Sequence, residues 1–181
     1  MFKKEKVKHI KLIVENKMKQ KITGILFAAC VVFLFSANVI SAQEKPIQIA
    51  LFNPIQLFNE NTSITGLRLN IIYGRNTKIT GLDFGLINHT TSGVSEGVQF
   101  GLVGIDDADF VGWKDNAVNI TNGKFEGLQW GFVNFAGSVS GVQIGLVNYA
   151  TNMNKGLQIG LVNIIKHGGQ FPVFPIVNWS F

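Results

Sequence analysis

The chain has 181 residues, of which 46% are apolar and 15% are charged, with 20 glycines and a single cysteine. That length allows one domain, the composition excludes a disordered chain, and one cysteine excludes both an internal disulfide framework and a thiolate zinc site. The net charge of +5 is unevenly placed, since residues 1–42 carry eight lysines against two glutamates, whereas residues 43–181 carry eight basic and nine acidic residues. No basic surface for nucleic acid is therefore expected after residue 42.

Residues 1–42 have the pattern of a secretory signal peptide. Lysines precede the apolar run 22–40, and the small residues Ser41 and Ala42 follow it, which predicts export with cleavage after Ala42. Because MKQKITGILF is a compact beginning for such a peptide, we expect translation to start at Met18. An uncleaved membrane anchor is the alternative, since the apolar run is nearly long enough to span a bilayer.

A repeat of about fifteen residues fills residues 43–181, which predicts a single repeat domain. Its clearest copies have the form G-Φ-Q-Φ-G-Φ-V-N, where Φ is apolar, as in GLQWGFVN from Gly127, GVQIGLVN from Gly141 and GLQIGLVN from Gly156. A displaced copy begins at Pro46. The regular copies begin, in steps of 14 to 16 residues, at Gly66, Gly81, Gly97, Gly112, Gly127, Gly141, Gly156 and Phe171.

Within each copy the side chains alternate with a period of two residues, which predicts a β-strand closed by a short turn. In the copy at Gly127, one face carries Gln129 between two glycines, and the other carries Leu128, Trp130, Phe132 and Asn134. The apolar centre of the second face recurs in nearly every copy. The centre of the first face is always polar, and its occupants are Arg68, Asp83, Gln99, Lys114, Gln129, Gln143 and Gln158.

The repeat, the opening PIQIALFNPIQLF and the ending PVFPIVNWSF resemble a family of uncharacterised bacterial surface repeat-containing proteins. The resemblance covers essentially residues 46–181 and implies a secreted, surface-associated protein without assigning an activity. The sequence departs from the family pattern at Gly104, where asparagine is usual, and in Trp113-Lys114-Asp115-Asn116, where the second glycine is missing.

An all-β fold is expected, and its arrangement stays open between three alternatives. The favoured one is a small antiparallel barrel of about eight strands in the outer membrane, with the apolar face toward lipid. The seven central polar residues of the first face, which we call the polar level, then lie in the lumen. The second is a parallel β-solenoid in which each repeat is one coil and the asparagines form a ladder. The third is a soluble closed sheet with an apolar core.

Sequence features at the ends of the repeat region favour different architectures. Val177, Trp179 and Phe181 alternate at the C-terminus in a manner that resembles the signal by which outer-membrane barrels are recognised for assembly. Prolines occur at both ends of the domain, which favours an open sheet or a solenoid with blunted terminal strands. These prolines are Pro46, Pro54, Pro172 and Pro175.

No catalytic or cofactor-binding residue is predicted. Asp106, Asp107 and Asp109 are candidate ligands for a cation, although a dedicated calcium loop brings six or more ligands and a glycine. The alternative of a lipid-modifying enzyme rests on His89 and His167 alone, and no substrate can be named for it.

The sequence therefore predicts an exported protein of the cell surface or outer membrane with a structural or interaction role and no catalytic activity. Outer-membrane lipid is the expected partner, and a surface protein or glycan stays open. A solenoid binding module that offers its polar face to a partner is the alternative.

Overall fold

A computed structural model describes residues 44–181, which form one continuous sheet of nine strands. The predicted signal peptide and the proposed start at Met18 lie outside the described residues. No helix in the described range is long and apolar enough to cross a membrane. The strands are β1 (Glu44–Phe52), β2 (Ile55–Gln56), β3 (Ser63–Asn76), β4 (Ile79–Thr90), β5 (Val94–Asp106), β6 (Asp109–Trp130), β7 (Val133–Ile144), β8 (Val147–His167) and β9 (Val173–Ser180).

The strands pair in parallel from β1 to β8, in the order β1-β3-β4-β5-β6-β7-β8. Equivalent positions of successive repeats lie side by side, so that Gln129 is paired with Gln143 and Asn134 with Asn148. Each repeat is therefore one coil of a parallel β-solenoid. The predicted all-β repeat fold is confirmed, in the arrangement given above as the second alternative.

The eight-strand antiparallel barrel is not confirmed, because antiparallel pairing occurs only at the two ends of the described sheet, between β1 and β2 and between β8 and β9. The physical reason lies in the repeated amides. Parallel stacking in register places each glutamine or asparagine beside its own copy, where the side chains can hydrogen-bond as a ladder. A hairpin would reverse the order of positions and place unlike residues opposite each other.

The strand alternation changes phase at the corner that follows the second glycine of the coil. In the coil starting at Gly127, Phe132 and Val133 both face outward, and the inward positions are therefore Gln129 before the corner and Asn134 after it. An uninterrupted alternation assigns Asn134 to the apolar face, and this assignment is wrong. The change of phase puts both amide columns inside the solenoid.

Close stacking of the coils explains the first glycine of each repeat. Gly127 has a φ of +129°, and a Cβ atom at this position would lie 2.0 Å from the carbonyl oxygen of Gly112 in the preceding coil. Only glycine accepts both this backbone conformation and this approach.

The interior has an apolar part beside the polar columns. It lies next to the turns that link one coil to the next and consists of Phe110, Phe125, Ala136, Val139, Ala150, Met153 and Ile165. The solenoid interior is thus apolar beside the turns, and it is polar beside the corners, whose outward side chains are apolar.

Candidate functional site

The seven predicted polar-level residues lie in one interior column, which we call the polar column. Each is at most 2% exposed, and the column consists of Arg68, Asp83, Gln99, Lys114, Gln129, Gln143 and Gln158. Buried polar groups are tolerated only when they are hydrogen-bonded, so the partners of these side chains decide what the column does.

The first part of the polar column is held by an arginine–aspartate pair. Arg68 donates from Nε and Nη2 to the two carboxylate oxygens of Asp83, both at 2.7 Å, which is the bidentate geometry of a strong charge-assisted contact. Gln99 adds a hydrogen bond from Nε2 to Oδ2 of Asp83 at 3.0 Å.

Lys114 pairs with Asp106 and not with Asp83. Its ammonium group donates to a carboxylate oxygen of Asp106 and to the carbonyl oxygen of Ile120 at 2.9 Å. Burial lowers the pKa of Lys114, and the carboxylate of Asp106 opposes that shift. Asp106 is therefore an interior ion-pair partner, which its place in an acidic turn did not predict.

The later coils carry two amide ladders. In the polar column, Gln158 donates to Gln143 and Gln143 donates to Gln129, both at 2.7 Å. A second column begins at Asn119, and its Nδ2–Oδ1 hydrogen bonds are all 2.8 Å long. Its members are Asn119, Asn134, Asn148 and Asn163. Both ladders are internal, so the solenoid does not offer its polar face to a partner.

The surface that faces outward over these columns is apolar. In each coil it runs from the residue after the first glycine to the residue before the ladder position, and we call the outward side chains of these segments the apolar edge. The ladder position is held by Asn119, Asn134, Asn148 and Asn163 and, in the earlier coils, by Gly74, Asn88 and Gly104. Leu102 is 54%, Phe132 64% and Leu161 67% exposed. The other strongly exposed members at the corners are Ile71, Leu86 and Leu146.

The backbone of the apolar edge is hydrogen-bonded between coils. At the corners, the amide of Gly131 donates to the carbonyl of Ile144 at 3.0 Å, and the amide of Leu146 donates to the carbonyl of Phe132 at 2.9 Å. The ladder asparagines bond to further carbonyls, since Nδ2 of Asn119 donates to the carbonyl of Trp130 at 2.9 Å. The edge can therefore enter an apolar environment without leaving these groups unpaired.

The three carboxylates of the acidic turn have separate partners and do not converge on one cation site. Asp106 points into the core, Asp107 contacts His89, and Oδ1 of Asp109 accepts a hydrogen bond from the amide of Lys124 at 2.7 Å. Within residues 44–181 no group of three or more acidic, histidine or cysteine side chains could hold a metal ion.

His89 has spatial partners that its sequence neighbours do not reveal. Its Nδ1 lies 2.9 Å from the hydroxyl of Tyr73, and its Nε2 lies 2.8 Å from a carboxylate oxygen of Asp107. Burial raises the pKa of Tyr73, which disfavours the phenolate form. His167, by contrast, is exposed at the end of β8.

The C-terminal residues close the solenoid. Val177 and Trp179 in β9 pair antiparallel with Ile159 and Leu157, and the indole of Trp179 packs edge-on against Phe171 with ring centroids 6.2 Å apart. Phe181 is exposed. A role of these residues in recognition for assembly stays a prediction.

Comparisons of the chain with protein-family models, curated proteins and solved structures found no match. The function must therefore be argued from the geometry above. Reasoning from the sequence predicted the polar column but missed the Lys114–Asp106 pair and the partners of His89, because both depend on which coils are neighbours. The two consecutive apolar residues before each ladder asparagine were the available signal for the corner.

Proposed function

We propose that the chain is an exported cell-surface protein that associates with the outer membrane through its apolar edge and has a structural or interaction role there. This proposal rests mainly on the edge itself, a row of exposed leucine, isoleucine and aromatic side chains on successive coils. Seven stacked coils, from Gly66 to Gly156, extend it over about 29 Å at the usual strand spacing. Exposed apolar rows of this size mark a contact with lipid or with another protein.

The distribution of charge favours lipid. The outward lysines and glutamates of the regular coils lie outside the apolar edge, between its segments and the turns, as with Glu96, Lys124, Glu126 and Lys155. A surface divided in this way suits a boundary between water and an apolar phase. The paired backbone of the corners supports the same choice, since lipid supplies no hydrogen bonds to replace those of water.

The resemblance to surface repeat proteins and the predicted signal peptide both support export. Neither the polar column nor the contacts of His89 provide an evident nucleophile, so the proposal includes no catalytic step.

The test follows the full chain in cells with an outer membrane. Envelopes are separated by density and washed with alkaline carbonate, and the protein is located by gel electrophoresis. We expect it to stay with the outer-membrane fraction. Purified protein should also float with lipid vesicles that contain no other protein, which distinguishes lipid from a protein partner.

A pair of double variants tests the edge. Leu102→Ser with Leu146→Ser removes two exposed apolar side chains from the edge, and Val94→Ser with Val111→Ser removes two exposed valines that lie outside it. Each buried leucine contributes about 1.5–3 kcal/mol, so the first double variant should partition at least tenfold less into membranes. The second should behave like the wild type. Equal release of both variants, or wild-type protein in the carbonate supernatant, would contradict the proposal.

A further inference from the structure

The apolar edge is interrupted in one coil. The coil starting at Gly112 has Asp115 and Ala117 where the next coil has Trp130 and Phe132. Asp115 is the single charged residue among the outward side chains of the edge between residues 66 and 162. The small Ala117 leaves a notch of about 270 Å³, lined by Asp115, Asn116, Ala117, Trp130, Gly131 and Phe132.

Aromatic residues flank the carboxylate of the notch. Asp115 is the register partner of Phe100 in the preceding coil, and Trp130 occupies the same position in the following coil, one strand spacing of about 4.8 Å away. Trp113 lies two residues before Asp115 on the same face of the strand. The rings of Phe100 and Trp113 meet edge to face with centroids 5.3 Å apart, and they pack next to Asp115 outside the lining of the notch.

Asp115 makes no salt bridge and no side-chain hydrogen bond within residues 44–181. The neighbouring Lys114 points inward and is engaged by Asp106. No lysine or arginine of the described range lies over the ring of Trp113 or Trp130. An unpaired carboxylate beside aromatic side chains attracts a positive charge, so the notch favours a cationic ligand.

We propose that the notch binds an organic ammonium group. Asp115 is its counter-ion, and the aromatic side chains of Trp130 and Phe132, which line the notch beside it, attract the cation through their π electrons. A single carboxylate is too few ligands for a calcium ion, which takes six to eight oxygens. We assign the ammonium group to the headgroup of an amino lipid. This assignment rests on the proposed function, whereas the binding of an ammonium group does not.

Calorimetric titration of the purified protein with tetramethylammonium and with ethanolamine tests the site. The neutral isostere 3,3-dimethyl-1-butanol is the control ligand, since it has the shape of the cation without its charge. We expect the two cations to bind and the neutral alcohol to bind at least tenfold more weakly. Equal binding of the alcohol would reduce the notch to an apolar hollow and overturn the proposal.

Two isosteric variants assign the charge to one residue. Asp115→Asn should weaken tetramethylammonium binding at least tenfold, whereas Glu126→Gln, which removes one exposed carboxylate that does not line the notch, should leave it unchanged. Trp130→Leu should weaken binding several-fold. Unchanged affinity in Asp115→Asn, or no binding of either cation by the wild type, would overturn the proposal.

Vesicles separate this inference from the proposed function. Flotation with phosphatidylethanolamine vesicles is compared with flotation with phosphatidylglycerol vesicles, in wild type and in Asp115→Asn. A preference for the amino lipid that Asp115→Asn abolishes supports the headgroup as the source. Tetramethylammonium binding without flotation on either vesicle leaves the ammonium site standing with a free amine as its ligand and overturns only the lipid contact.

Discussion

Lys114 and Asp106 form an ion pair in which both side chains are fully buried. Each replaces a neutral residue of the repeat: glutamine is the commonest residue at the position of Lys114, and Thr90 and Thr121 hold the position of Asp106 in the adjacent coils. The two charges therefore occur together, and each provides the partner that the other needs in the interior.

Breaking this pair should cost far more than removing it. Lys114→Gln and Asp106→Thr should each lower the free energy of unfolding by about 3–5 kcal/mol, because each leaves a buried charge unpaired. The double variant restores the neutral residues of the neighbouring coils and should return to within about 1 kcal/mol of the wild type or exceed it. Chemical denaturation of the four proteins measures the cycle, and additive losses would contradict the expected coupling.

The sequence predicts the repeat, the strands and the shared level of the polar column, because all three follow from the period of the pattern. It does not predict the direction of pairing, since the same fifteen residues can be divided into one long strand and a turn or into two strands and a corner. The pair Phe132-Val133 decides between these divisions. Both side chains face outward, and the resulting change of phase turns Asn134 into the core.

The sequence also does not reveal that departures from the repeat in neighbouring coils compensate for each other. Gly104 and Asn116 each depart from the repeat, and each looks like a separate irregularity. In the structure a Cβ atom at Gly104 would lie 2.6 Å from Nδ2 of Asn116, so the asparagine occupies the space that the glycine leaves. Twelve positions separate them along the chain, and only the register of the solenoid brings them together.

Exchanging these two residues tests the compensation. Gly104→Asn should lower the free energy of unfolding by about 1–3 kcal/mol through overpacking, because its Cβ would also lie 1.9 Å from Oε1 of Gln99. Adding Asn116→Gly removes the contact with Asn116 and frees Gln99 from its hydrogen bond with the Asn116 amide, so the double variant should recover part of the loss. Thermal unfolding followed by circular dichroism measures both variants, and a double variant no more stable than Gly104→Asn would contradict the relationship.

The asparagine ladder should stabilise the corners through its hydrogen bonds. Asn134→Ala removes the donor to the carbonyl of Ile144 and to Oδ1 of Asn148 and leaves buried groups unsatisfied. We expect a loss of about 2–3 kcal/mol in the free energy of unfolding. Asn152→Ala is the control, because Asn152 is exposed and its replacement should change stability by less than about 0.5 kcal/mol. Equal effects in chemical denaturation would contradict a specific role of the ladder.

Calcium should not stabilise the protein through its acidic turn. Asp107 is committed to His89 at 2.8 Å, and Asp106 is committed to the core. The melting temperature should therefore be the same with calcium and with a chelator, both in the wild type and in Asp107→Asn. A calcium-dependent rise that Asp107→Asn removes would restore these residues as metal ligands.

The two tyrosines of the chain should ionise on opposite sides of their ordinary pKa of 10.0. Burial raises the pKa of Tyr73, whereas the neighbouring ammonium group of Lys166 lowers the pKa of Tyr149. The rise of ultraviolet absorbance at alkaline pH should therefore be broader than that of two identical tyrosines. Tyr149→Phe should remove its lower part, and Tyr73→Phe its upper part.

The same shifts set the sign of the pH dependence of stability. Above pH 10 the folded chain keeps a proton on Tyr73 that the unfolded chain has lost, so the free energy of unfolding should fall as pH rises through that region. Below pH 10 the folded chain has already lost the proton of Tyr149 that the unfolded chain retains, so this residue adds stability as pH rises toward 10. Denaturation of Tyr73→Phe should consequently show a smaller alkaline loss than the wild type. An equal loss in both would mean that another group titrates there.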